Sequence, residues 1–177
     1  MDEKKQIREQ MLVQRDKLSI AERRQHDMQL CRRIEHLLDA RNVRTVHTYL
    51  PMGTEPDIAP LIAKMLAAGI TVVTPRALKK RQMENLVLRS LGDLEEGIYG
   101  TMHPAGGHVY AGSYDLFIIP GLAFDRRHYR LGYGAGYYDT FLAAQPGGYK
   151  LGVCYPFQFL DRVPVEPHDV PLDEVYW

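Results

Sequence analysis

The residues best suited to chemistry lie between positions 120 and 139. They are the stretch from Pro120 to Asp125, and the run Arg130-Leu131-Gly132-Tyr133-Gly134-Ala135-Gly136-Tyr137-Tyr138-Asp139. Three glycines at alternate positions let a ligand approach bare backbone amides. Where such a turn follows a buried strand and feeds a helix, it suits phosphate. Arg130 and Asp139 add a guanidinium and a carboxylate at its two ends. The GxGxG spacing differs from the dinucleotide fingerprint GxGxxG, since Tyr137 stands at the last position, and the chain lacks the GxxxxGK run of a P-loop. A tight turn needed only for packing is the alternative, and the clustering of Arg130, the tyrosines and Asp139 argues against it.

The elements that must position this segment follow from periodicity. Ile7, Met11, Leu12 and Leu18 predict an amphipathic helix from Lys4 to Lys17. Ser19 and Glu22 form a capping box opening a second helix that runs to about Leu38. Val43 to Leu50 has extended character. Ile58, Leu61, Ile62, Met65 and Leu66 mark a third helix from about Asp57 to Ala68, with Gly69 placed for a left-handed cap. Ile70 to Thr74 then reads as a strand parallel to the first, because the two are joined by a helical crossover. Asn85 to Arg89 predicts a short strand. Asp115 to Pro120 and Lys150 to Tyr155 are continuously apolar, as strands covered on both faces are. A helix near Tyr138 to Ala144 separates them. Leu94 to Gly112 predicts a long irregular excursion, and the proline-bearing tail from Pro156 to Trp177 an irregular strap. The fold class expected is α/β, a single domain over 1–177 with a mainly parallel sheet and helices on both faces.

Composition narrows the functions. The 177 residues are 45% hydrophobic and 25% charged, which fits one folded domain rather than a disordered chain. Lys plus Arg and Asp plus Glu are both 22, so no net field draws in nucleic acid. No apolar run reaches the roughly 20 residues needed for a membrane span, and the charged N-terminus lacks the apolar core of a signal peptide. A cytoplasmic address follows by default. Cys31 and Cys154 are too few for a disulfide scaffold and predict buried, reduced thiols. The seven histidines show no zinc-binding spacing.

These residues resemble the 5-formyltetrahydrofolate cyclo-ligase family, also called methenyltetrahydrofolate synthetases, along most of the chain. Pro120 to Asp125 and Arg130 to Asp139 carry the resemblance most specifically. Lys4, Arg8, the Glu55-Pro56-Asp57 turn and His168-Asp169 with Pro171 and Asp173 support it. The resemblance implies an ATP-dependent, magnesium-requiring enzyme that closes 5-formyltetrahydrofolate to 5,10-methenyltetrahydrofolate and releases ADP and phosphate; a monomer is expected. It places ATP on Lys4, Arg8, Arg130, Leu131, Gly132, Tyr133, Gly134, Ala135, Gly136, Tyr137 and Tyr138. Arg130 and Tyr137 are its catalytic candidates, and Asp139 and Asp169 its magnesium carboxylates. It places folate at Glu55 and along Tyr133 to Tyr137. The residue types suit these roles. Cations neutralise phosphoryl charge, hard oxygens suit magnesium, and a carboxylate can accept from the donor edge of a pterin.

Simpler roles exist for several of these residues. Lys4 and Arg8 fit a solvated helix face, Asp139 a helix start, Asp169 a turn among prolines, and Glu55 the beginning of the third helix. The chain also departs from the family pattern twice. His103-Pro104 stands where Glu-Pro is expected, and Ala135 where some relatives carry lysine. A noncatalytic folate-binding protein, or a ligase or kinase acting on another small substrate, stays open beside the cyclo-ligase. Arg130→Ala is expected to lower turnover severely with little cost to folding, since its partner would be phosphate.

Overall fold

The computed structural model describes residues 2–177. Helix α1 (Glu3–Lys17) begins where the Asp2 carboxylate accepts from the Lys4 amide at 3.1 Å, and its last turn carries Arg15 and Lys17. Helix α2 (Ile20–Ala40) opens on the expected capping box: the Glu22 amide donates to Ser19 Oγ at 3.2 Å and the Ser19 amide to Glu22 Oε2 at 2.8 Å. These reciprocal bonds satisfy two amides that a helix start otherwise leaves bare.

Strand β1 (Thr45–Thr48), helix α3 (Ala59–Ala67) and strand β2 (Thr71–Ala77) form the predicted crossover, and Gly69 adopts φ +74° beyond α3. Strand β3 (Met83–Leu88) returns antiparallel to β2. Next come β4 (Leu94–Glu96), β5 (Met102–Pro104), β6 (Leu116–Ile119), β7 (Ala123–Asp125) and β8 (Arg130–Leu131). Helix α4 (Tyr137–Ala143), β9 (Tyr149–Val153), β10 (Phe159–Leu160) and β11 (Glu174–Tyr176) complete the chain. The main sheet has the order β11-β9-β6-β1-β2-β3 and is parallel except at β2–β3.

Both faces of this sheet are covered, which is why its central strands read as unbroken apolar runs. Val46, Val72, Leu116, Ile118 and Leu151 pack with Ile34 of α2 and Leu61 and Met65 of α3. On the other face Val73, Phe117 and Ile119 pack with Phe141 and Leu142 of α4. Leu116 to Ile119 alternate between these two clusters, so each side chain of β6 is buried. The expected α/β class, with helices on both faces, is the observed one.

Two expectations are corrected. The excursion from Leu94 to Gly112 contains the antiparallel pair β4–β5. The tail is not wholly irregular: β10 joins β7 and β8 in a small second sheet, and β11 is an edge strand of the main one. Each of these strands is two or three residues long, too short for a local pattern, and exists only through pairing with distant chain. Cys31 and Cys154 are free and buried, as expected. Among the described residues, no helix is long and apolar enough to cross a membrane.

Candidate active site

Glu55 follows β1, Leu78 follows β2, and Pro120-Gly121 follows β6, so the candidate residues gather beyond the carboxyl ends of parallel strands. Open α/β sheets bind their ligands there. Pro120 to Asp125 is buried throughout. Gly121 is required by packing, since a Cβ there would stand 2.7 Å from Phe124 and 2.9 Å from Arg130. Asp125 then organises the turn between β7 and β8. Its carboxylate accepts from the amides of Arg127, Tyr129 and Val163 and from the Arg127 guanidinium. Burial alone would raise its pKa, but these bonds outweigh it and hold the group below the usual carboxylate value.

That hairpin delivers Arg130, which is buried. Arg130 Nη2 donates to Asp139 Oδ2 at 2.9 Å, and its guanidinium lies 5.3 Å from the centre of the Tyr138 ring. Its Nε is buried with no hydrogen-bond acceptor among the described residues. Gly132 is pressed against this guanidinium: a Cβ would meet Arg130 Nη1 at 2.7 Å. Gly134 has φ +105° and Gly136 φ +71°, conformations that side chains with a Cβ rarely adopt. The glycine loop is therefore built from backbone, with Tyr133, Gly134 and Ala135 at its exposed tip.

Helix α1 lies along the loop. Arg8 Nε donates to the Gly132 carbonyl at 2.9 Å, and its guanidinium carbon is 3.3 Å from where a Gly134 Cβ would stand. Lys4 turns to the tail, 2.8 Å from Glu166 Oε1 and 3.7 Å from Asp169 Oδ2. These two cations are thus not a merely solvated face. Tyr133 reaches in the other direction and donates to Glu55 Oε1 at 2.8 Å, while Glu55 Oε2 accepts from the Met52 amide at 2.9 Å. Since α3 begins only at Ala59, Glu55 does not start that helix. Burial raises the Glu55 pKa; the Met52 and Tyr133 bonds and the Arg15 charge pull against it.

The remaining candidates divide by burial. Leu131 packs with Met11 and Leu122, leaving only its backbone for a ligand. Tyr137 donates to the Leu78 carbonyl at 2.5 Å, and Tyr138 is packed into the core beneath α4 with its buried hydroxyl unpartnered. Asp139 and Asp169 occupy separate networks, one on Arg130 and the other on Lys4 and the Glu166 amide. Among the described residues no three His, Cys, Asp or Glu side chains form a metal cluster. Asp139 nevertheless keeps Oδ1 outside its bond to Arg130, while Asp169 Oδ1 lies 3.8 Å from His168 Nε2 and outside the bond to the Glu166 amide. This fits magnesium, which commonly takes one or two carboxylates and completes its shell with water and phosphate.

Sequence reasoning missed two arginines. Arg15 is buried, bonding Thr54 Oγ1 and the Tyr133 hydroxyl, each at 3.1 Å. Its signal was present: Ile7, Met11 and Arg15 recur every four residues, which puts a cation on the apolar stripe. Arg81, from the β2–β3 turn, approaches within 3.8 Å of where a Gly136 Cβ would stand. It left no local signal, because only the hairpin brings it there. With Arg8 it flanks the loop that contains Ala135. The second departure, His103, is a buried packing residue of β5 that lies beneath Gly97, where a Cβ would be 2.9 Å away.

The sequence profile of the 5-formyltetrahydrofolate cyclo-ligase family matches residues 1–177. A 5-formyltetrahydrofolate cyclo-ligase of Mycolicibacterium smegmatis is 34% identical over 140 residues, covering 75% of this chain and 72% of that protein. The mouse 5-formyltetrahydrofolate cyclo-ligase is 27% identical over 174 residues, 90% of this chain and 86% of its own. The solved structure of 5,10-methenyltetrahydrofolate synthetase from Aquifex aeolicus superposes with a TM-score of 0.84 at 31% identity, covering 97% of this chain and 88% of that one. With the profile spanning all 177 residues and the same fold found in a relative, this chain belongs to the 5-formyltetrahydrofolate cyclo-ligase family.

Proposed function

We propose that the protein closes 5-formyltetrahydrofolate to 5,10-methenyltetrahydrofolate at the expense of ATP, releasing ADP and phosphate, as the names of its relatives suggest. The observation that carries this reading is the 2.8 Å bond from Tyr133 to Glu55. It joins a glycine loop suited to phosphate with a buried carboxylate suited to a pterin, so a phosphoryl donor and its acceptor would meet at one residue.

In this mechanism the formyl oxygen attacks the γ-phosphorus of ATP. The new oxygen–phosphorus bond forms as the bond to the bridging oxygen breaks, and ADP leaves. The second folate nitrogen then attacks the formyl carbon, the carbon–oxygen bond to phosphate breaks, and the nitrogen's proton is released. Phosphorylation converts a poor leaving group into a good one, so no protein nucleophile is needed. The residues' part is positioning and charge stabilisation. Lys4, Arg8 and Arg130 would face the phosphates, with the unpartnered Arg130 Nε an unused donor for an anion. The amides from Leu131 to Tyr138 would lie along them, with Tyr137 beside the transferred group. Glu55 would accept from the pterin, and the face of Tyr133 to Tyr137 would pack on it. Asp139 and Asp169 would hold magnesium, which would supply positive charge to offset that of the phosphates. We take the enzyme to be a single-domain, cytoplasmic monomer with no nucleic-acid partner; the absence of net charge supports the last point.

The test is the absorbance of methenyl-folate formed from 5-formyltetrahydrofolate with ATP and magnesium, and with each omitted. Product that requires both is the expected result. Folded protein that binds folate and forms no product would overturn the enzyme and leave a binding protein. Glu55→Gln, which keeps shape and loses charge, should raise the folate KM about tenfold or more.

A further inference from the structure

Arg15 is buried at 3% exposure in the last turn of α1, and the mechanism above does not use it. Its Nε donates to Thr54 Oγ1 and its Nη1 to the Tyr133 hydroxyl, both at 3.1 Å; Thr54 in turn donates to Asp16 Oδ1 at 3.2 Å. Tyr133 in turn donates a hydrogen bond from its hydroxyl to Glu55 Oε1 at 2.8 Å. The direction of this relay is fixed by chemistry. A guanidinium has donors and no acceptor, so the phenol oxygen must accept from Arg15, and its single proton is left for Glu55.

We infer that Arg15 is the positioning residue of the folate pocket: through Tyr133 it aligns the Glu55 carboxylate as an acceptor, and together with Arg8 it splints the glycine loop against α1. Arg8 holds the carbonyl of Gly132 and Arg15 the hydroxyl of the next residue, so one helix grips two consecutive loop residues. The role of Glu55 in this inference rests on the folate reading; the relay itself does not.

Glu55 is the group whose state the relay controls. From α1 it faces Arg15, from the loop Tyr133, and from its own turn the Met52 amide. Tyr49 at the end of β1 and Tyr138 of α4 complete its surroundings, and burial pushes both phenols up, so they stay neutral. Among the described residues Arg15 is the cation acting on Glu55; with the Met52 and Tyr133 bonds it opposes the burial that favours the protonated, donating form. A protonated Glu55 would present a donor to the donor edge of a pterin and lose it.

The experiment uses Arg15→Met, Arg15→Lys and Tyr133→Phe. The first readout is the carboxyl carbon resonance of Glu55, labelled with carbon-13, assigned by its loss in Glu55→Gln and titrated without ligand. The titration should move up by about one pH unit in Arg15→Met and in Tyr133→Phe, and return most of the way in Arg15→Lys, which restores a donor cation. The second readout is steady-state kinetics. In Arg15→Met the folate KM should rise about tenfold, with the acid limb of kcat/KM for folate displaced by the same pH interval and the ATP KM rising less than the folate KM, because Arg8 still holds the Gly132 carbonyl. A Glu55 titration unmoved in Arg15→Met and Tyr133→Phe would overturn the inference whether or not the enzyme turns over. If wild type forms no product while the titration moves as expected, the relay stands and the folate assignment falls. Should Arg15→Met fail to fold, Tyr133→Phe breaks the same relay at its exposed end.

Discussion

The Arg130 guanidinium meets the Asp139 carboxylate at 2.9 Å across the base of the glycine loop, with side chains only 5% and 14% exposed. Strand β8 and helix α4 are thereby tied together by charge. A buried ion pair adds little beyond its own desolvation cost, but breaking one leaves a charge uncompensated. Asp139→Ala is therefore expected to lower stability by about 3 kcal/mol, and Asp139→Asn, which can still accept from the guanidinium, by less. Urea midpoints of the two variants check this. The same pair revises the expectation for Arg130→Ala. Its loss should cut turnover severely, as the phosphate role implies, but also cost about 1–3 kcal/mol of stability, because Arg130 packs against Gly121 and Gly132.

Gly134→Ala tests the loop's backbone. A Cβ would be forced at φ +105° and would crowd the Arg8 guanidinium at 3.3 Å. Such strain typically amounts to about 1–3 kcal/mol. The expected outcome is at least a tenfold rise in the ATP KM with the far-ultraviolet dichroism unchanged. An ATP KM equal to wild type would remove the loop's tight geometry from nucleotide binding.

His47 makes stability fall with acid. It is fully buried on β1 among Tyr114, Phe117, Tyr138 and Phe141, with Nε2 2.9 Å from Asn85 Oδ1 and Nδ1 unpartnered. Burial holds its pKa down at about 4, against 6.5 for an ordinary histidine. The unfolded chain therefore binds the proton first. Stability is complete above pH 6.5 and is lost as pH falls from 6.5 through 4, by about 3 kcal/mol for a gap of this size. Melting temperatures across this range should decline more steeply in wild type than in His47→Gln; parallel curves would exclude His47 as the source.

Asp125→Asn should be among the more destabilising single-atom changes. The carboxylate accepts three backbone amides and a guanidinium, and an amide in its place turns one acceptor into a donor facing donors. A loss of about 2–4 kcal/mol is expected, with slower folding-dependent recovery of activity after dilution from urea. Because the carboxyl is held below its ordinary value, its stabilising effect is complete above about pH 4 and is lost as pH falls further.

The sequence by itself determined what depends on neighbours along the chain. The capping box at Ser19 and Glu22, the apolar stripe of α3 and the unbroken apolar run of β6 are local patterns, and each produced its element. The glycine spacing from Gly132 to Gly136 likewise announced a backbone-built loop at the end of a strand. Tertiary structure alone decided what depends on pairing across distance. The two-residue strands β8 and β10 and the edge strand β11 carry too few residues for a periodic signal, and they exist because a distant partner completes their hydrogen bonds. The site follows the same division. Glu55, Arg130 and Asp139 were visible as residue types, but that Arg130 is held by Asp139, and Glu55 by Tyr133 and through it by Arg15, required the chain to fold. A buried polar group needs a partner, and the sequence names the group without naming which distant residue supplies that partner.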